Sequence, residues 1–148
     1  RDDRTALWIK WGHPAMRVFR NRADPEGVGK VIKLATSFLQ SELTDLDLIN
    51  DLKLALTEAC SNVALHAYSG LDKGDVEVQI VLDPQRFIRI TILDWGHPFP
   101  GPDLENLAMH PEEESGRGVY IISQLVDSYD YRNATEKNIL TLEKIFEE

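Results

Sequence analysis

The spacing of apolar positions changes period several times along the chain, and each change predicts a new element. ALWIKW (residues 6–11) and AMRVFRN (15–21) are short, alternating and rich in β-formers, with Gly12-His13-Pro14 between them. They predict two N-terminal strands. From 24 to 43 the pattern becomes helical, with Val28, Val31, Ile32, Ala35, Phe38 and Leu39 on one face. Asp24 suits a cap there and Pro25 a first helical position. A second helix is predicted from a cap at Thr44 or Asp45 to a stop near Gly70.

The period then drops to two. GDVEVQIVLD (74–83) and RFIRITILD (86–94) both alternate, and the tight connection DPQR makes them a β-hairpin. Residues 95–117 collect Gly, Pro and acids, a long connection of the kind that carries function. GVYIISQLV (118–126) reads as a short helix, and SYDYRN and NILTLEKIF as two strands joined by a polar turn. This order lacks βαβ alternation. It predicts an α+β, two-layer α/β sandwich, with one mixed, mostly antiparallel sheet and its helices on one face.

At 148 residues, 43% hydrophobic and 28% charged, the chain reads as one soluble globular domain. A net charge of −9 disfavours nucleic acid, whose phosphates demand a basic surface, and fits poorly with anionic membranes. No apolar run reaches transmembrane length, and the single cysteine, Cys60, forms no internal disulfide, so a cytoplasmic location is expected.

Three stretches hold candidate chemistry. In LALTEACSNVALHAY (54–68), Glu58, Asn62 and His66 stand at four-residue spacing on a mostly apolar helix, with Leu52, Leu56, Ala59, Val63 and Ala67 as its buried stripe. A carboxylate and an amide in such surroundings need specific partners. Those partners could be a ligand, or backbone and His66 in a purely structural role; the helix alone leaves both open. In ILDWGHPF (92–99), Asp94 ends a buried-looking strand and could accept from an exocyclic amine, with Gly96 permitting close approach. The alternative is an ordinary Asp-x-Gly turn. In SGRGVYII (115–122), Gly116, Arg117 and Gly118 lead into a helix N-terminus suited to an anion, or simply form a flexible loop.

Taken in order, these stretches resemble the N, G1 and G2 boxes of the Bergerat-fold (GHKL) ATPases, which include gyrase, MutL and the ATP-binding domains of histidine kinases. TEACSNVALHAY, DWGHPF, GRGVYIISQLVD and NILTLEK further resemble the anti-sigma-factor serine/threonine-protein kinases of the RsbW type, over residues 16–145. The resemblance implies ATP and Mg²⁺ as cofactors. Asn62 would hold Mg²⁺ on the phosphates, and Glu58 would be the general base for a serine hydroxyl. Asp94 would bind the adenine amino group, with Gly96 shaping the pocket. Gly116, Arg117 and Gly118 would belong to the ATP lid, which spans 97–117 and joins the helix at Gly118, and residues 1–15 would be an N-terminal extension or edge strand. His66 would be structural, bonding a nearby loop, and Tyr68 and Cys60 would pack.

The implied partners are a STAS-domain anti-anti-sigma protein as substrate, a sigma factor or other regulatory target, and a second copy in a homodimer. Neither direct nucleic-acid nor membrane binding is implied. Two departures qualify the match: Lys137-Asn138 stands where the family often has glycine before the last strand, and Glu112-Glu113-Glu114 gives the lid an acidic run with no assigned ligand role. The other readings are the ATP-binding domain of a histidine kinase and a non-catalytic module that sequesters its partner.

Overall fold

A computed structural model describes residues 14–98 and 114–146. Strand β1 (Ala15–Arg22) leads into helix α1 (Pro25–Glu42), then helix α2 (Leu46–Asn62). The hairpin β2 (Asp75–Asp83) and β3 (Phe87–Asp94) follows, then helix α3 (Glu114–Leu125) and strands β4 (Ser128–Ala134) and β5 (Lys137–Ile145). The expected strand at 6–11 and most of the 97–117 lid lie outside the described residues.

Local chemistry starts each helix. Asp24 accepts from the Gly27 N–H at 2.7 Å ahead of Pro25, and Asp45, rather than Thr44, accepts from the Leu48 N–H at 3.1 Å. Each cap satisfies a donor with no partner inside its helix, worth about 1 kcal/mol. Helix α2 does not run regularly to its stop. Val63–Ala67 forms a π-helical turn, and Gly70, at φ +76°, follows in the reversal. A π-helical turn loosens the backbone register, a feature found often at functional sites.

The sheet order is β1-β2-β3-β5-β4, and all four pairings are antiparallel. The mixed sheet expected from sequence is therefore wholly antiparallel in its described pairings. Two helices between β1 and β2 return the chain in the opposite sense, where a single crossover helix would give a parallel neighbour. Strands β3 and β4 do run the same way, but β5 lies between them.

One face of the sheet is covered. Val76, Val78, Ile80 and Leu82 are each 0% exposed, alternating with partly exposed residues, and Ile88, Ile90 and Ile92 continue that layer. They join Leu39, Leu52, Leu56 and Ile122 in one core cluster, so all three helices pack on the same face. Each such side chain contributes about 1.5–3 kcal/mol by leaving water. On the opposite face Arg20 bonds Asp75 at 3.0 Å and Glu77 at 3.3 Å, and lies 4.5 Å over the Trp95 ring, tying the edge strand to the residue after Asp94.

Candidate nucleotide site

Helix α2 forms one wall of a pocket between the sheet and α3. Ala59, Val63, Ile92, Val119, Ile122 and Leu140 give it an apolar lining, while Asn62, His66, Asp94 and His97 supply polar groups. A concave, mostly apolar pocket with a few convergent polar groups is the usual form of a small-molecule site.

The expected stripe is buried: Leu52, Leu56, Ala59, Val63 and Ala67 are at most 7% exposed. Glu58 and Asn62 stand one turn apart on its flank, both half-buried. Among the described residues, neither side chain has a hydrogen bond or ion pair. Among the described residues, neither backbone nor His66 engages them. An unengaged amide oxygen suits a cation that already carries phosphate ligands, since Mg²⁺ takes only one or two protein oxygens in such sites. Among the described residues no three His, Cys, Asp or Glu side chains converge, so a metal there would rely on phosphate oxygens and water.

Helix α3 closes on this pair. It begins at Glu114, so Gly116, Arg117 and Gly118 lie inside its first turns and not in a loop ahead of it. Arg117 is exposed and Gly118 buried. A Cβ on Gly118 would stand 3.0 Å from Glu58 Oε1 and 3.4 Å from Asn62 Nδ2, so glycine lets α3 approach both.

Asp94 lines the same pocket from the end of β3 and is 7% exposed. Its Oδ1 accepts from Asn138 Nδ2 at 2.7 Å and from the Gly96 N–H at 2.9 Å. No hydrogen bond among the described residues uses Oδ2. Burial pushes the Asp94 carboxyl above its ordinary pKa, against those two hydrogen bonds, which favour the charged form. The site thus holds a desolvated acceptor with one oxygen uncommitted.

Gly96 does not line the pocket. A Cβ there would fall 2.1 Å from the Ala67 carbonyl oxygen, so its missing side chain admits the end of α2. The neighbouring His97 N–H donates to that carbonyl at 2.6 Å, and His97 Nε2 lies 2.9 Å from Ser69 O. His66 lines the pocket without a side-chain hydrogen bond among the described residues, where other residues fasten the loop. Tyr68 is one: its hydroxyl donates to Asp75 O at 2.7 Å and accepts from the Trp95 N–H at 2.9 Å. Tyr68 is more than a packing residue; Cys60, with burial pushing its thiol up to about 12, is an inert one.

Asn138 is the residue that sequence reasoning missed. It is 1% exposed and pairs with Asp94 in the β3–β5 register. Besides Asp94 it donates to His97 O at 2.9 Å and Gly96 O at 3.2 Å, and its oxygen accepts from Asn133 Nδ2 at 2.8 Å. Acceptors on three sides fix which way its amide points. The available signal was an amide in phase with Leu140 and Leu142 along the last strand.

This arrangement of an apolar pocket, a carboxylate at a strand end and a helix bearing glutamate and asparagine defines a class, the histidine kinase-like ATPase domains; the model of that family matches residues 21–144. The chain is 32% identical to the serine-protein kinase RsbW of Bacillus velezensis over 114 residues, 71% of this chain and 70% of the relative. It is also 32% identical to RsbW of Oceanobacillus iheyensis over 138 residues, covering 85% and 84% of the two chains. Among solved structures, the SiaB–SiaC complex from Pseudomonas aeruginosa matches at a TM-score of 0.62 and 10% identity, over 99% of this chain and 98% of that one, a likeness of fold. The chain belongs to the histidine kinase-like ATPase domain family and, within it, to the RsbW-type anti-sigma-factor serine/threonine-protein kinases. It is accordingly an ATP-using protein serine/threonine kinase.

Proposed function

We propose that this kinase acts in a bacterial partner switch: it binds a sigma factor or other regulatory target, and phosphorylates a serine on a STAS-domain anti-anti-sigma protein that competes for it. In this reading Asp94 Oδ2 accepts from the adenine amino group. Asn62 would hold Mg²⁺ on the phosphates, and Gly116 and Arg117 end the 97–117 lid, with Gly118 at its junction with α3. When bound, Mg²⁺ would offset phosphate charge. Glu58 takes the proton of the incoming serine hydroxyl, while the pocket fixes the nucleotide for in-line transfer. The kinase would work as a cytoplasmic homodimer, without membrane or direct nucleic-acid contact.

The observation that carries this reading is the pairing of Glu58 and Asn62: two half-buried polar groups without partners among the described residues, beneath Gly118, with Asn62 lining the pocket that Asp94 also lines. The test is purified kinase with Mg-ATP and a STAS-domain protein from the same genome, followed by intact mass and phosphosite mapping. A phosphoserine on the partner is expected. Phosphohistidine on the kinase would instead favour the ATP-binding domain of a histidine kinase. Tight partner binding with no transfer would favour a sequestering module. Gel filtration with light scattering checks the dimer.

A further inference from the structure

Leu54, Glu58, Ser61 and Leu65 recur at spacings of four, three and four, which places them in one stripe along the outer side of α2 and its π-helical end. Leu54 is 43% exposed and Leu65 62% exposed, with Glu58 and Ser61 half-buried between them. After Leu46 at its start, the exposed residues earlier in the same helix are polar: Asp47, Asn50, Asp51 and Lys53. On a chain of net charge −9, these four residues carry one carboxylate, Glu58, and the Lys73 ammonium sits beside their far end, 3.0 Å from the Ala64 carbonyl oxygen.

A hydroxyl that gives its proton to Glu58 must come within about 3 Å of it. The protein bearing that hydroxyl necessarily covers the helix surface next to Glu58. Residues four apart on a helix are neighbours, about 5–6 Å between Cβ atoms, so Leu54 borders the reacting carboxylate on one side. Leu65 lies two turns away on the other.

We infer that Leu54 and Leu65 are the apolar contacts on which the phosphate-accepting protein docks, and that this partner presents its acceptor serine within an apolar patch. The inference rests on the reading of Glu58 as the base. The stripe then sets which protein is phosphorylated, while the pocket behind it handles only nucleotide. Both leucines are exposed, so exchanging them leaves the core untouched.

The experiment compares Leu54→Gln, Leu65→Gln and the double variant with the parent chain, using the STAS-domain protein as substrate and phosphoserine as readout. KM for the partner is expected to rise tenfold or more in the double variant. The kcat at saturating partner and the ATP affinity should stay within twofold. Leu46→Gln serves as a control, since Leu46 is 70% exposed on the same helix but about 18 Å from Glu58 by helical rise; its KM should stay within twofold. An unchanged KM in the double variant, with the parent active, overturns the inference alone. So does a fall in kcat at unchanged KM. Loss of self-association in the variants would overturn it too, by assigning the stripe to contact between two copies. No phosphoserine from the parent chain would overturn the reading of Glu58 and the inference with it.

Discussion

At the scale of single residues, Asp94 combines two demands that usually conflict, burial and charge. One oxygen is held by Asn138 and the Gly96 N–H, so the other has a fixed direction. Asp94→Asn keeps a carbonyl oxygen for those donors but replaces the second oxygen with an amide that cannot accept. ATP affinity measured by calorimetry is expected to fall at least tenfold, about 1.4 kcal/mol. The fold should survive. Because burial raises the pKa of Asp94 in the folded state, its relative contribution to stability is present below the ordinary carboxylate range and lost as pH rises through the raised value. The variant should therefore gain thermal stability relative to the parent at neutral pH, and that difference should shrink in acid; the same difference at both pH values would refute the account of burial. Asn138→Leu acts oppositely, leaving the Gly96 and His97 carbonyls and Asp94 Oδ1 each short of a donor. A loss of about 1–3 kcal/mol in denaturant unfolding, with weaker ATP binding, is expected. Asp94 was legible in the sequence as a carboxylate ending an alternating strand, and as a candidate ligand only through the ordered set of boxes it belongs to. Asn138 was not, because its partner lies 44 residues away and only strand register joins them.

At the scale of elements, two glycines do unlike work. Gly96 lets the segment after β3 touch the π-helical end of α2, and Gly118 lets α3 touch Glu58 and Asn62. Gly96→Ala drives a Cβ into the backbone carbonyl of Ala67, which cannot step aside as a side chain could. A destabilisation of about 1–3 kcal/mol is expected in thermal or denaturant unfolding. In Gly118→Ala the closest atom is the end of the flexible Glu58 side chain, and alanine is favoured over glycine in a helix by up to about 1 kcal/mol. Stability should be unchanged or higher, while phosphotransfer falls because Glu58 is displaced; a variant with full activity would show that the close approach is dispensable. The helix caps, the hairpin and the buried stripe of α2 followed from periodicity and capping residues. The π-helical turn and the early start of α3 did not, since both depend on what packs against those segments. For the same reason, spacing alone could not separate His66, which lines the pocket, from Tyr68, which fastens the loop.

At the scale of the whole molecule, α2 organises the nucleotide site. It is buried on the side facing the sheet, lines the pocket with Asn62 and His66, and faces outward at Leu54 and Leu65. The sheet behind it gives Asp94 and Asn138 a common register, and α3 closes the other side. In the proposed reading, Asn62 and His66 on the pocket side serve the nucleotide, while Glu58 shares the outer stripe with the partner-contacting Leu54 and Leu65, so loss of nucleotide binding and loss of partner contact should separate on mutation. Asn62→Ala, for instance, should weaken Mg-dependent ATP binding while leaving the melting temperature within a few degrees; unchanged binding in calorimetry would remove the metal role. The central claim is that Glu58 accepts the proton of a serine hydroxyl. The most direct measurement is phosphoserine formation on the STAS-domain partner by Glu58→Gln, alongside ATP affinity and partner affinity for the same variant. The account predicts transfer slowed by a factor of about 10²–10⁴ with both affinities retained. Transfer at the parent rate would contradict it.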